Sequence, residues 1–318
     1  MPRFSFVIAS FNNRDILMPC FKSIADNLKT GDYEIVLSDN GSVDGSIDFI
    51  KENYPSTRII ENGTNLGFAA AINKGIKISE GRYIVLMNTD IELTPNVMEK
   101  ISEYMDKNPD VGICTGGLIG PDGKPQNSVA VFPGIVTEVF NKSILKFLFP
   151  KKYPGKVDNV NSPIDVDSII GAVMVVRKSA IKKIGALDER FFFYMEETDW
   201  CLRMREGGYR VSILPDAKII HHLGKTAKRY PKRSKIEYFI SSISYMKKNH
   251  SHIYAFAFSV GLFFKVLISL IINLLLCLLT FCLIGTFRIR VKRYVRLALW
   301  FVMGMPISWG LRGIKKQV

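Results

Sequence analysis

Tyr83-Ile84-Val85-Leu86-Met87-Asn88-Thr89-Asp90 is the stretch whose reading decides the fold. Its first five residues are apolar and include β-branched Ile84 and Val85, which predicts a strand buried on both faces. The run then breaks into Asn88-Thr89-Asp90, with Pro95 shortly after. Open α/β sheets bind ligands just outside the carboxyl ends of their strands, which is where Asp90 would stand. Asn and Asp are also common turn residues, so this segment by itself reads as a strand-end turn too.

The upstream chain repeats the same plan. Phe4 to Ala9 is a short apolar run, turned by Ser10-Phe11-Asn12-Asn13. Arg14 to Leu28 carries apolar residues at 16, 17, 20, 21, 24 and 28, a helical face. Glu34 to Leu37 reads as a strand ending in Ser38-Asp39-Asn40-Gly41-Ser42, and Asp44 is placed to cap a helix through about Glu52. Arg58-Ile59-Ile60 is a third strand, and Asn65-Leu66-Gly67 leads into a helix from Phe68 to about Ser79. Strands alternating with helices predict an α/β fold, a mainly parallel sheet with helices on both faces. The clusters Ser10/Asn12, Asp39/Asn40/Ser42, Asn65/Gly67 and Asn88/Asp90 each follow a strand and would open on one sheet edge. Four in phase are better explained by a nucleotide crossing that edge than by four unrelated turns. No GxGxxG follows the first strand and no GxxxxGK[ST] occurs, which disfavours dinucleotide-binding Rossmann domains and removes P-loop NTPases.

Beyond Asp90, a helix is expected from about Pro95 to Lys107 and a strand from Val111 to Thr115. Residues 120–165 hold several Pro and Gly without a strong period and read as long loops with local structure, a common place for function. Ser168 to Val176 is apolar around Gly171-Ala172, small residues that allow close approach of a ligand or backbone. An aromatic run, Phe191-Phe192-Phe193-Tyr194, precedes Met195-Glu196-Glu197-Thr198-Asp199. Three acids at a helix start suit the helix dipole, which by itself would also explain them. Tyr209 to Leu214 and Lys218 to His222 read as two further short strands.

Charge divides the chain. The net charge is +14, yet residues 1–237 carry 32 basic and 29 acidic groups. Residues 238–318 carry eleven basic groups and no acid. A domain of residues 1–237 followed by a basic, apolar, membrane-associated helical region at 238–318 is therefore expected. Val266 to Gly285 is twenty uncharged residues, long enough to span a bilayer, and Tyr294 to Leu311 is a second apolar stretch. The basic linker Arg288–Arg293 between them argues for a returning hairpin or for interfacial helices over a single span; a buried soluble helix is the plain alternative. Basic groups without acids suit an anionic membrane surface. Lys225 to Lys235 adds a basic segment that reads as a solvated loop or as one meeting a diphosphate. Nucleic acid is not expected as a partner, because these cations lie among apolar spans. Five scattered cysteines without metal-ligand spacing fit reduced thiols in the cytosol, and export is not expected, because the apolar run after Met1-Pro2-Arg3 is too short for a signal peptide.

Taken in order, these segments resemble a family 2 glycosyltransferase with the GT-A fold. The resemblance covers about residues 4–226 and rests on Ser10-Phe11-Asn12, Ser38-Asp39-Asn40-Gly41-Ser42-Val43-Asp44-Gly45 and Asn65-Leu66-Gly67-Phe68-Ala69-Ala70-Ala71-Ile72-Asn73. It continues through Leu86-Met87-Asn88-Thr89-Asp90, Gly171-Ala172, Glu196-Glu197-Thr198-Asp199 and His221-His222-Leu223-Gly224-Lys225-Thr226. Within the family the chain most resembles rhamnosyltransferase-type enzymes acting on lipid-linked acceptors.

The resemblance implies a UDP-, dTDP- or GDP-sugar donor and an inverting, non-processive transfer at the cytoplasmic face of the cell membrane. It assigns Asp39 to a pyrimidine N3–H, and Ser10 and Asn12 to ribose and phosphate. Asn40, Ser42, Asn65, Gly67 and Asn88 complete the nucleotide-sugar site. Asn88-Thr89-Asp90 stands at the family's DxD position with Asn for the first Asp, so Asp90 supplies the carboxylate for Mg²⁺ or Mn²⁺. His221 or His222 is a further metal or phosphate ligand. Glu197 stands where the family's base stands, with Glu196 or Asp199 able to share that role. The QxxRW motif of processive members is missing, since Gln occurs only at 126 and 317. Competing readings are a transferase for a soluble acceptor and a catalytically inactive nucleotide-sugar-binding scaffold, the latter supported by the Asn in place of Asp.

Overall fold

In the computed structural model the alternating apolar runs become an α/β sheet unit and a helical unit. The structure describes residues 1–140, 142–150, 162–223 and 230–314. In chain order the elements are β1 (Phe4–Ser10), α1 (Arg14–Asn27), β2 (Tyr33–Asp39), α2 (Ser46–Asn53), β3 (Arg58–Glu61), α3 (Phe68–Ile78) and β4 (Tyr83–Met87). Next come β5 (Ile91–Leu93), α4 (Val97–Lys107), β6 (Val111–Ile119), β7 (Val129–Ala130), α5 (Ile135–Val139) and α6 (Lys142–Leu148). They are followed by β8 (Ile164–Asp165), β9 (Ser168–Ile169), β10 (Val173–Arg177), α7 (Lys178–Ile184), α8 (Glu196–Glu206) and β11 (Arg210–His221). Last are α9 (Pro231–Asn249), α10 (His252–Leu279) and α11 (Gly285–Val302). The first unit is Met1–Phe132 with the described part of 153–229; the second is 133–152 with 230–313.

The main sheet of the first unit runs β3-β2-β1-β4-β10-β6-β11-β5, with β8 on β11. β1 pairs in parallel with β2 and β4, and β2 with β3. β10 enters antiparallel between β4 and β6, and β11 is parallel to β6. β4 is buried along its whole length. Val85 and Met87 turn to the layer of α1 and α4, while Ile84 and Leu86 turn to that of α3, α7 and α8. This alternation is what a strand covered on both faces requires. The register Ser10↔Asp39 sets the polar ends of β1 and β2 side by side.

Three features differ from expectation. The two short strands expected near the end of this unit are one strand, β11, with a register shift between Leu214 and Lys218. Gly116 makes this possible: a side chain there would collide with the Ala217 carbonyl. Three residues after Asp90 form β5, which pairs antiparallel with β11 so that His221 lies opposite Ile91. The expected loops of 120–165 contain α5 and α6, which belong to the second unit.

In the second unit, Tyr254 Oη accepts the Ile135 N–H at 3.1 Å, and Tyr238 Oη donates to Glu138 at 2.7 Å. Lys265, inside the apolar α10, donates to the main-chain oxygen of Glu138. α10 runs through Lys265 without a break, so the apolar stretches on either side of it are one helix of 28 residues. Among the described residues it is the one helix long and apolar enough to cross a membrane. The expected basic linker is instead the first half of α11, and the second apolar stretch ends at Val302 before Gly304 and Pro306. α9 buries Ile236, Phe239, Ile243 and Met246 in this unit. Arg233 on α9 holds the carbonyls of Ser308 and Gly310, and Glu237 accepts the Leu311 N–H at 2.8 Å. Of the basic segment 225–235, residues 225–229 lie outside the described residues.

Candidate active site

The carboxyl end of β4 meets β11 through β5. Asp90 is buried, and its Oδ2 lies 3.6 Å from His221 Nε2. Its main-chain oxygen accepts the His222 N–H at 2.9 Å. Strand alternation sends the His222 ring the other way, to Glu92 at 2.6 Å. Of the two candidate histidines, His221 therefore joins Asp90 and His222 does not. The other ring nitrogen of His221, Nδ1, lies 3.0 Å from Gln126 Oε1, while Gln126 Nε2 donates to the His221 carbonyl at 2.9 Å. Asn88 donates its N–H to Ala172 at 2.9 Å, and Thr89 accepts from Asn13 at 3.2 Å, which fixes the turn. No group of three or more His, Cys, Asp or Glu side chains suited to a metal is found among the described residues. A carboxylate and an imidazole nitrogen facing each other still fit a divalent cation whose remaining positions go to phosphate and water.

At the ends of β1 and β2 a second cluster forms. Asp39 Oδ2 accepts the N–H groups of Gly41 and Ser42 at 2.9 and 2.8 Å, and its Oδ1 accepts the Ser42 hydroxyl. Asn12, at φ 53°, gives its N–H to Ser42 Oγ and takes the Val43 N–H, both at 2.8 Å. Asn40 donates to the Gly67 carbonyl at 3.1 Å, and Asn65 accepts the Gly67 N–H at 3.0 Å. Ser10 Oγ is buried without a hydrogen-bond partner. A buried hydroxyl left in this state costs about 1–3 kcal/mol, which makes it a ready donor for a ligand.

The acids of α8 separate by environment. Asp199 is fully buried and pairs with Arg203 at 2.8 Å, one turn on. Arg203 also donates to the carbonyls of Ile184 and Ala186 at 3.2 and 2.8 Å, so this pair staples the Gly185 turn to the helix. Glu196 is buried at the helix start. Glu197 lies against Gly171, where a Cβ would stand 3.2 Å from its Cβ and Cγ. Glu197 Oε2 is enclosed and has no hydrogen-bond partner. This burial pushes the Glu197 carboxyl above the ordinary 4.5, against the lowering pull of the N–H groups at the helix start. Tyr194 and Met195 both hold φ 70°, a left-handed pair of non-glycine residues that aims the first turn of α8.

Gly67 joins the two sides. Phe68 donates its N–H to the Phe192 carbonyl at 2.7 Å. A Cβ on Gly67, which sits at φ 86°, would lie 2.5 Å from that same carbonyl oxygen. The loop ahead of α3 and the loop ahead of α8 thus touch at a residue with no side chain.

Comparison with known proteins follows the same lines. Residues 5–185 match the family described as glycosyl transferase family 2, more than half of the chain. The chain belongs to this family. It is thus a glycosyltransferase of the hexosyltransferase type. N-acetylglucosaminyl-diphospho-decaprenol L-rhamnosyltransferase of Mycobacterium tuberculosis is 24% identical over 234 residues, covering 68% of this chain and 75% of that protein. dTDP-rhamnosyl transferase RfbF of Shigella flexneri is 25% identical over 165 residues, 51% of each chain. The glycosyltransferase shares its fold with mannosyltransferase PcManGT from Pyrobaculum calidifontis, solved in complex with GDP-Man and Mn²⁺. That match has a TM-score of 0.59 and 12% identity, and covers 94% of this chain and 88% of the other. These neighbours establish the GT-A-like fold.

Gln126, beside His221, falls in a stretch without periodicity, and nothing in the sequence but the rarity of Gln points to it.

Proposed function

We propose that this glycosyltransferase moves a sugar of the rhamnose type from a nucleotide-diphosphate donor to a lipid-linked glycan acceptor, in one inverting, non-processive step. The observation that carries the reading is that Asp90 faces His221 at 3.6 Å just past the Asn88–Ala172 contact, while Glu197 packs on Gly171, the neighbour of Ala172.

Each residue has a part. A carboxylate offers about four acceptor positions, and the local turn fills three on Asp39. The one left on Oδ1 suits a pyrimidine N3–H. Ser10 Oγ gives its hydrogen bond to ribose, and the Asn65–Gly67 turn presents the start of α3 to sugar or phosphate. Asp90 Oδ2 and His221 Nε2 would hold Mg²⁺ or Mn²⁺; such a cation supplies charge stabilisation for the departing diphosphate. Ionised Glu197 takes the proton from the acceptor hydroxyl as its oxygen attacks the anomeric carbon from the side opposite the diphosphate. Asp199 serves by fixing the turn before α8.

The second unit supports a membrane-held acceptor. α10 exposes Ile268, Ile271, Leu275, Leu278 and Leu279, and α11 exposes Arg288, Arg290, Lys292 and Arg293. Apolar and cationic surface together suit the cytoplasmic, anionic leaflet.

Thermal protection by UDP-, dTDP- and GDP-sugars, each with and without Mn²⁺, tests the donor side. Transfer of the protecting sugar is then compared on a polyprenyl-diphosphate-linked acceptor in vesicles and on a soluble analogue. No protection by any nucleotide sugar would overturn the reading; transfer to the soluble analogue alone would remove the lipid.

A further inference from the structure

We propose that Gln126 is a positioning residue that locks His221 in one tautomer, with the Nε2 lone pair turned toward Asp90. The inference rests on the assignment of Asp90 and His221 to a divalent cation, and says what makes that histidine a ligand and not merely a neighbour.

Gln126 sits in the turn after β6, where its N–H is held by the Leu118 carbonyl at 2.8 Å and Pro125 bridges to Ile119. The turn is closed by the Gly120 N–H on the Lys124 carbonyl at 2.8 Å. From this base the amide reaches across to the end of β11 and makes two bonds to the same residue. Its Nε2 donates to the His221 main-chain oxygen at 2.9 Å, and its Oε1 faces His221 Nδ1 at 3.0 Å.

The chemistry of these four atoms leaves one arrangement. A carbonyl oxygen only accepts, so the amide atom beside the His221 oxygen must be the NH₂ group. The amide oxygen is then the atom that faces Nδ1, and it too only accepts. Nδ1 must therefore carry a proton. In a neutral imidazole the other nitrogen, Nε2, is then the lone pair. That atom is the one 3.6 Å from Asp90 Oδ2. A flipped amide would set oxygen against oxygen at 2.9 Å and NH₂ against a ring N–H or would demand the opposite tautomer. β5 completes the arrangement by pairing the His221 backbone with Ile91, and the histidine is buried there.

The test uses the full chain and two readouts besides transfer. Ring ¹⁵N shifts of the four histidines, with His221→Ala to assign the signal, report which nitrogen holds the proton. The expected result is Nδ1–H at His221 when neutral; an Nε2–H tautomer overturns the proposal without any change at Gln126. Mn²⁺ titration followed by electron paramagnetic resonance reports the cation. Gln126→Leu is expected to weaken Mn²⁺ binding on the order of 10–100-fold, the usual effect of losing such a partner. Gln126→Glu keeps an acceptor for Nδ1–H but sets a second oxygen against the His221 carbonyl, so it should recover part of that loss, whereas a merely structural role would leave both variants alike. Gln126→Leu binding Mn²⁺ as the unaltered chain does, while Asp90→Ala and His221→Ala lose it, overturns the role of Gln126 alone. If Asp90→Ala and His221→Ala also bind normally, the cation assignment itself is wrong and this proposal goes with it.

Discussion

The two units use charge in opposite ways. In the sheet unit, charged side chains at the strand ends are matched to single atoms. Asp39 is wrapped by its own turn, Asp199 is paired with Arg203, and Asp90 faces His221. In the helical unit there is no acid from Tyr238 onward, and four of the five cations of α11, Arg288, Arg290, Lys292 and Arg293, lie on the outside. Point-by-point placement suits chemistry on one molecule. An unmatched sign spread over apolar surface suits a partner that is itself a surface. The contrast predicts that chemistry and attachment can be removed separately.

The largest effect is expected on the chemical side. Asp90→Ala should lower transfer on the order of 10³-fold or more, because charge stabilisation of the leaving diphosphate is worth several kcal/mol. Membrane association, measured by vesicle flotation, should be untouched. Near-normal transfer in this variant would break the comparison at its first term.

Glu197→Gln comes next, with a loss of kcat of about 10²–10⁴-fold and little change in donor affinity. Asp199→Asn should act differently. It weakens the Arg203 staple, so melting temperature should fall along with activity. A dead but fully stable Asp199→Asn, beside an active Glu197→Gln, would move the base two residues along the helix.

On the attachment side, replacing Arg288, Arg290, Lys292 and Arg293 with Gln should reduce binding to anionic vesicles by about 1 kcal/mol for each cation near the surface. Transfer to a soluble acceptor should be unchanged. High salt should weaken but not abolish binding of the unaltered chain, since the exposed apolar residues of α10 are not screened by salt. Complete release by salt would make the contact purely electrostatic.

The smallest effect concerns Glu197 and pH. Its folded-state value is raised above 4.5, so between the two values the unfolded chain binds fewer protons than the folded one. Stability at this group is therefore full below the unfolded value and falls as pH rises through the folded one. Glu197→Gln cannot ionise, so it should melt higher than the unaltered chain at neutral pH, with the gap closing in acid. The acid limb of kcat/KM should likewise lie above the ordinary carboxylate range. A melting gap that widens in acid would show that Glu197 is held ionised.

The parallel part of the sheet was legible because β1, β2 and β4 are apolar runs ending in polar clusters, a pattern with one main physical cause. The Asp199–Arg203 pair follows from i,i+4 spacing on a helix. β5 was not legible, since three residues carry no period, and with β5 went the distinction between His221 and His222. The bulge in β11 hid for a similar reason: Pro215 and a polar stretch look like an ending, and only the partner strand shows that the ladder resumes. Helices α5 and α6 were read as loop because short segments find their stability in the packing of a distant part of the chain, which local sequence does not display.

The contact at Gly67 has a mechanical consequence. A single peptide of the aromatic run both receives the Phe68 N–H and blocks any side chain at 67. A shift of the α3 start would press on this peptide and on the Phe192 ring, which stands 2.6 Å from the same Cβ position. Phe192 leads through Phe193, Tyr194 and Met195 into the first turn of α8. On the proposed assignment, a donor that seats poorly beside Gly67 should therefore also misplace Glu197.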